Sequence, residues 1–403
     1  MEAGIEFIPE GTVTSPKGFR AGATYAGMKK EAERGLDLGI LFSEAPCVAT
    51  ALFTTNKIKA APVVLSRERL RDGRAVAVVI NSGCANACTG EQGLRNAVEM
   101  SGLAAEKIGA SPEDVLVAST GVIGEQLPME LIRTGIGKIS LSNDGGHSLV
   151  EAMMTTDTVP KEVAVRVSGG EIVIGGAVKG SGMIHPDLAT MLCFLTTDAA
   201  VEPDFLKSAL RRAVDISFNM VSIDGDTSTN DTVLLMANGL AGNKPISRDS
   251  GQAAVFQQAL DEVCIYLAKA MACDGEGASK FIEVTVSGAR SVAEARLAAR
   301  TIVGSSLVKT AVYGSDPNWG RIVAASGRSG VEVEESRIDL CLGGVAVIKG
   351  GNPLPFDKGE VVAVLNKSEI VISLNLNLGT ASATAWGCDL TEEYVVINSQ
   401  YTT

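Results

Sequence analysis

Histidine is nearly missing from this chain: His147 and His185 are the only two among 403 residues. That number is too small for a histidine-rich metal site, and it makes the usual base for activating a hydroxyl scarce. Aromatic residues are also few, at 4%. No apolar stretch reaches the ~18 residues that would suggest a membrane span. The opening "MEAGIEFIPEGTVTSPKG" has no basic segment followed by an apolar run, so no signal peptide is expected. Positive charge is in deficit, with 35 Lys and Arg against 47 Asp and Glu and a net charge of −12. That balance disfavours nucleic acid or an anionic membrane as partner. A soluble, cytoplasmic protein is expected, or one in an organelle lumen after loss of a presequence. No phosphate loop ending in Gly-Lys-Ser/Thr occurs, there is no Gly-x-Ser-x-Gly, and "GSGMIH" lacks the dinucleotide spacing.

Cysteine is present at an ordinary level, eight residues, mostly in apolar settings such as Cys47, Cys193, Cys264 and Cys341. Cys84 and Cys88 in "NSGCANACTG" have helical i,i+4 spacing. No second Cys or His pair completes a four-ligand set, so no metal is expected.

What is there is core material and alternation of element types. Hydrophobic residues make up 46% of the chain. "KEVAVRV", a turn around Gly169 and Gly170, and "EIVIGG" read as a hairpin. "KFIEVTVSGA" and "EIVISLNLNLG" alternate with period two, the second out to Leu378, so each predicts a strand with one buried face. "VAVVINSG" is nearly continuous and predicts a strand buried on both faces. Helices are predicted from about Glu91 to Gly109, from Glu202-Pro203 onward, over "SGQAAVFQQALDEVCIYLAKAMACDG", and over "SVAEARLAARTIVGSS". Strands and helices mix throughout without a linker or a repeat. The expected class is layered α/β (α+β).

Four segments carry candidate chemistry. "SIDGDTSTND", Ser222 to Asp231, reads as a structural or substrate-facing loop rather than a calcium loop, whose spacing it lacks. "CDGEGASKF" sets Glu276 between two glycines; it reads equally as a carboxylate for a cationic group and as a plain helix-ending turn. "ASTGVIGEQLP" ends an apolar run in Thr120-Gly121, offering a hydroxyl and backbone N–H groups to an oxyanion, although a simple strand-to-helix turn has the same pattern. The last is "KGSGMIHPDLATML". A threonine at a chain N-terminus supplies its own base, since an α-amine has a pKa of ~7.7–8.0. Cleavage between Ala189 and Thr190, by attack of the Thr190 hydroxyl on the Ala189 carbonyl, would create one. The local chemistry permits this without requiring it.

The chain resembles the ornithine acetyltransferase family, also called glutamate N-acetyltransferase or ArgJ, along nearly its whole length. The matching segments include "GFRAGATYAGMKK", "INSGCANACTG", "ASTGVIG", "MMTTDTVPK", "KGSGMIHPDLATML", "DGEGASKF", "SSLVKTAVYGSDPNWGRIVAASG" and "EYVVINSQYTT". The resemblance implies a self-cleaving precursor, giving an α chain of residues 1–189 and a β chain of residues 190–403. It implies Thr190 as nucleophile and Thr120 and Gly121 at the oxyanion hole. Substrate contacts are implied for Thr156, Lys179, Thr190, Glu276, Asn398 and Thr403. The implied fold is a layered αββα sandwich resembling the N-terminal-nucleophile hydrolases, assembled as an α2β2 heterotetramer. The implied reaction moves acetyl from N2-acetylornithine to glutamate in arginine biosynthesis. No cofactor is implied; acetyl-CoA stands open as a second donor substrate. Asp187 and Leu188 depart from the family pattern, which often has Asn and Met there. Two other readings stay open at this point: an aminopeptidase of similar shape that releases the acyl group to water, and an amino-acid-binding protein without catalysis.

Overall fold

A computed structural model describes residues 4–29, 35–167, 172–185 and 191–400, and every number or absence below refers to those residues. Two β-sheets and eleven α-helices make up the fold. The first sheet holds β1 (Ile5–Phe7), β2 (Phe19–Thr24), β3 (Leu38–Phe53), β4 (Arg74–Asn81), β5 (Val115–Ser119), β6 (Lys161–Val167), β7 (Val173–Lys179), β8 (Leu192–Thr197) and β10 (Thr232–Ala237). Its order is β1-β6-β7-β8-β10-β3-β4-β5, with β2 paired to β3. The second sheet runs β14 (Asn352–Pro353), β13 (Val345–Lys349), β12 (Asp339–Leu342), β15 (Glu369–Asn375), β11 (Phe281–Ala289), β16 (Ala381–Cys388) and β9 (Val221–Ser222).

Apolar continuity explains the middle of the first sheet. Every residue of β5, β7, β8 and β10 is buried, so both faces need cover. Leu192 and Phe194 of β8 point into one core with α4 (Gly146–Met153), while Cys193 and Leu195 point into another with α5 (Pro203–Ile216) and α6 (Ala253–Cys273). A buried side chain of the size of Phe194 contributes ~1.5–3 kcal/mol. A third core gathers α1 (Ala61–Arg69), α2 (Gly90–Ile108) and α3 (Met129–Lys138) against β4 and β5. Helix α6 touches both sheets, and α7 (Val292–Val303) covers β11 and β16. The helices α8 (Ser306–Tyr313), α9 (Gly320–Gly327), α10 (Lys358–Leu365) and α11 (Glu392–Gln400) complete the chain.

The layered α/β expectation holds, and so do the sequence signals for its elements. Pro203 takes the first helical position of α5 after Glu202, and Gly109 ends α2 in the left-handed region with φ 72°. The β6–β7 pairing is the expected hairpin, although its turn at Gly169 and Gly170 lies outside the described residues. One expectation needs correction. The alternating run "EIVISLNLNLG" stops as a strand at Asn375 rather than reaching Leu378. Asn377 adopts φ 53°, and the N–H groups of Leu376 and Leu378 turn back to the carbonyls of Ser287 and Gly288. The helical spacing of Cys84 and Cys88 is not used as a helix. Asn86 and Cys88 have φ 50° and 57°, and Cys84 forms isolated bridges to Thr120 and Val122.

This topology gathers strand ends. Lys179, the last residue of β7, pairs with Leu192 at the start of β8, and Leu192 pairs with Thr232 at the start of β10. The end of β5 is brought to the same place by Asn230, whose Nδ2 donates to the carbonyls of Ser119 (2.9 Å) and Ala85 (2.7 Å).

Candidate active site

A cavity of about 80 Å³ opens where these ends meet. Its walls include Thr120, Gly121, Thr156, Lys179, Glu276 and Asn398, six of the residues expected at the site, drawn from segments far apart in sequence. Thr156 also lines an adjoining cleft of about 830 Å³, closed on one side by Glu393, Val396, Ile397 and Gln400 of α11. Ala189, Thr190 and Thr403 lie outside the described residues.

The Thr120-Gly121 corner is fixed by its neighbours. Thr120 N donates to Asn81 O (3.0 Å), and Val122 N to Gly83 O (3.3 Å). The Asn81 side chain takes the Ser119 hydroxyl at 2.6 Å and donates to Cys84 O at 2.9 Å. Gly121 has φ 128°, and a Cβ there would lie 2.3 Å from the Gly83 carbonyl carbon, so only glycine fits. Among the described residues the Gly121 N–H has no hydrogen-bond partner. Lys179 Nζ donates to Thr120 Oγ1 at 3.2 Å. Burial lowers the pKa of Lys179 and Lys161 adds repulsion, while Asp157, Glu276 and Asp231 oppose both.

Glu276 is held in place by three hydrogen bonds. Thr156 Oγ1 donates to its Oε1 (2.6 Å), Asn398 Nδ2 donates to its Oε2 (2.8 Å), and its own N–H goes to Ser181 O (2.8 Å). Gly182 faces the carboxyl so closely that a Cβ would lie 2.4 Å away. Both side-chain donors to it are neutral groups, a hydroxyl and an amide.

Sequence reasoning missed the support behind these groups. Lys161, fully buried, bonds Asp157 Oδ1 (2.7 Å) and Asp274 Oδ2. Asp157 also takes the Gly180 N–H (2.7 Å) and the Thr155 N–H (3.1 Å), and Asp274 takes the N–H and hydroxyl of Thr158. One cluster thereby fixes the loop of Thr156, the end of β7 after Lys179 and the turn that carries Glu276. Burial would raise the Asp157 pKa, but Lys179 and Lys161 beside it bring it down to about 2.

The loop Ser222 to Asp231 does face the cavity, through Ser228, Thr229 and Asn230. Two of its three acids bind backbone. Asp224 takes the N–H groups of Met183 (2.5 Å) and Ile184 (2.9 Å), and Asp231 Oδ1 takes that of Met191 (2.9 Å). They thus hold the chain on either side of residues 186–190. Burial pushes the Asp231 pKa well up against the Met191 N–H, Thr54 and Lys179, and its Oδ2 has no partner among the described residues.

The model of the ArgJ family matches residues 20–403. The chain belongs to the ArgJ family. The arginine biosynthesis bifunctional protein ArgJ of Dehalococcoides mccartyi is 52% identical over 100% of both chains. That of Symbiobacterium thermophilum is 52% identical over 98% of this chain and 99% of its own. A crystal structure of arginine biosynthesis bifunctional protein ArgJ from Bacillus halodurans, 46% identical, matches 51% of this chain and 97% of that chain with a TM-score of 0.50. No helix among the described residues is long and apolar enough to cross a membrane.

Proposed function

We propose that this ArgJ-family chain is a self-cleaving acetyltransferase that moves acetyl from N2-acetylornithine to glutamate through an ester on Thr190. The observation that carries the reading is the single cavity lined by Thr120, Gly121, Thr156, Lys179, Glu276 and Asn398. The Thr190 hydroxyl attacks the acetyl carbonyl, and its α-amine takes the hydroxyl proton. Thr120 Oγ and the Gly121 N–H stabilise the oxyanion. Ornithine leaves with the proton, glutamate's amine attacks the ester, and Thr190 is regenerated. Lys179 binds the α-carboxylate common to donor and acceptor. Asn398 and Thr403 are further substrate contacts. The bifunctional name of the relatives favours acetyl-CoA as a second donor substrate, giving N-acetylglutamate, with no bound cofactor. The proposed assembly is an α2β2 heterotetramer in the cytoplasm.

Cleavage at Ala189–Thr190 is supported by Asp224 and Asp231, which pin both flanks of that segment. It is supported too by the half-length match to the Bacillus halodurans chain, whose own length is covered almost entirely. Denaturing intact-mass measurement should find two polypeptides, residues 1–189 and 190–403. Thr190→Ala should run as one full-length mass. A wild-type chain that stays full length after long incubation would remove the reading.

Glu276→Gln should weaken use of N2-acetylornithine by about ten- to a hundredfold in kcat/KM, the range for losing a hydrogen bond to a charged group. The ionic partner of the ornithine amine is removed while the shape is kept. Discrimination against N-acetylnorvaline, which lacks that amine, should fall in parallel. Unchanged discrimination would mean that the amine is bound elsewhere.

A further inference from the structure

The contact between Lys179 and Thr120 has a direction. Both residues are buried, at 3% and 6% exposure, and both line the cavity. An ammonium group has three hydrogens and no lone pair, so Thr120 Oγ1 accepts in the 3.2 Å bond from Lys179 Nζ. A threonine hydroxyl has one hydrogen of its own. Among the described residues Thr120 Oγ1 has no second partner, so that hydrogen is not committed to any of them.

We propose that Lys179 is a positioning residue for acyl transfer, its ammonium orienting the Thr120 hydroxyl so that the hydroxyl hydrogen points into the cavity toward the developing oxyanion. This role is additional to carboxylate binding and rests on the reading of Thr120 as an oxyanion donor. An oriented donor needs no reorganisation at the moment of reaction, which is where such groups gain their effect. The arrangement depends on the charge. A neutral lysine amine has a lone pair, and the hydroxyl could then donate to it and withdraw its hydrogen from the cavity.

Burial lowers the Lys179 pKa, with Lys161 adding to the lowering, and three carboxyl groups, those of Asp157, Glu276 and Asp231, oppose it. Asp157 is anchored on the N–H of Gly180, the residue that follows Lys179. Removing its charge should make Lys179 lose its proton at lower pH.

A double-mutant cycle with two donors tests the proposal, with rates expressed per cleaved chain from intact mass. The donors are N2-acetylornithine and N-acetyl-1,4-diaminobutane, which keeps the amine but lacks the α-carboxylate. Thr120→Ala should lower kcat ~10²–10³-fold on both. Lys179→Met should lower kcat on both, by at least tenfold on the diamine, where no carboxylate is left to bind. Added to Thr120→Ala, it should cost little more on the diamine, because the hydroxyl it orients is gone. Equal costs of Lys179→Met with and without Thr120, or no cost on the diamine, would overturn the proposal alone. A rate unmoved by Thr120→Ala would remove the oxyanion reading and this proposal with it. Asp157→Asn supplies a second measurement that leaves Lys179 in place. The basic limb of its kcat–pH profile should move down by ~1 unit or more, the effect of losing a close opposite charge. A limb that stays at the wild-type position would count against the proposal whatever the cycle shows.

Discussion

Replacing Lys161 with methionine should destabilise the folded protein by ~3–5 kcal/mol, as read in urea unfolding of the full chain. Lys161 Nζ sits between Asp157 and Asp274, with side chains exposed by only 1%, 0% and 6% respectively. The substitution keeps the volume of the stem and leaves two buried carboxyl groups without their shared cation. Both lie buried, and losing a hydrogen-bonded cation is costly in so poorly polarisable a surrounding. A loss below about 1 kcal/mol would mean that the ion cluster is replaceable by simple apolar packing. The same cluster gives a direction for acid unfolding. Asp157 has a folded-state pKa of about 2 against an ordinary value of 3.8. A group depressed in this way contributes stability that is fully present above the unfolded-state value. That contribution is lost as pH falls from about 4 through 2.

Gly121→Ala should lower kcat by at least the ~10²–10³-fold expected for loss of one oxyanion donor. Two costs combine at this position. The backbone has φ 128°, which side-chain-bearing residues rarely adopt, and the new Cβ would lie 2.3 Å from Gly83 C and 2.6 Å from Cys84 N. Backbone on both sides must therefore move, and the Gly121 N–H moves with it. Gly124 supplies the control within the same loop. Its φ is 89°, but a Cβ there meets nothing within 4 Å. Gly124→Ala should consequently cost ~1–2 kcal/mol of stability and leave kcat close to wild type. Similar kcat losses in the two variants would show that loop strain, not the position of the Gly121 N–H, sets the rate.

The sequence made some elements readable because their neighbours along the chain decide them. The continuous apolar run of β4 and the Gly109 stop of α2 need only local information. Thr120-Gly121 was legible as a strand end carrying a hydroxyl, and it lies immediately after Ser119, where β5 ends. Glu276 was undecided because its fate rests on Thr156 and Asn398, each more than a hundred residues away in the chain. The Asp157–Lys161–Asp274 cluster was hidden for a different reason. Lys161 opens a strand, where a polar residue normally marks the solvent-facing start, and nothing local announces that Asp274 will lie against it. Asn230 shows the same limit. In a loop rich in hydroxyls and acids it reads as turn chemistry, whereas its amide joins two distant segments.

The strand order of the first sheet has a consequence for the proposed cut at Ala189–Thr190. Residues after the cut supply only β8 and β10 to this sheet, and those two strands lie between β7 and β3, both from residues before it. The two polypeptides are therefore interleaved within one hydrogen-bonded layer rather than docked across a surface. Separating them requires two strand ladders to break, one antiparallel from β7 to β8 and one antiparallel from β10 to β3. The uncut chain refolds as a single molecule, but the cut protein must find its partner again, so its refolding becomes second order in concentration. Maturation would in that way turn a reversible fold into a kinetically trapped one, assembled once as a precursor and then retained.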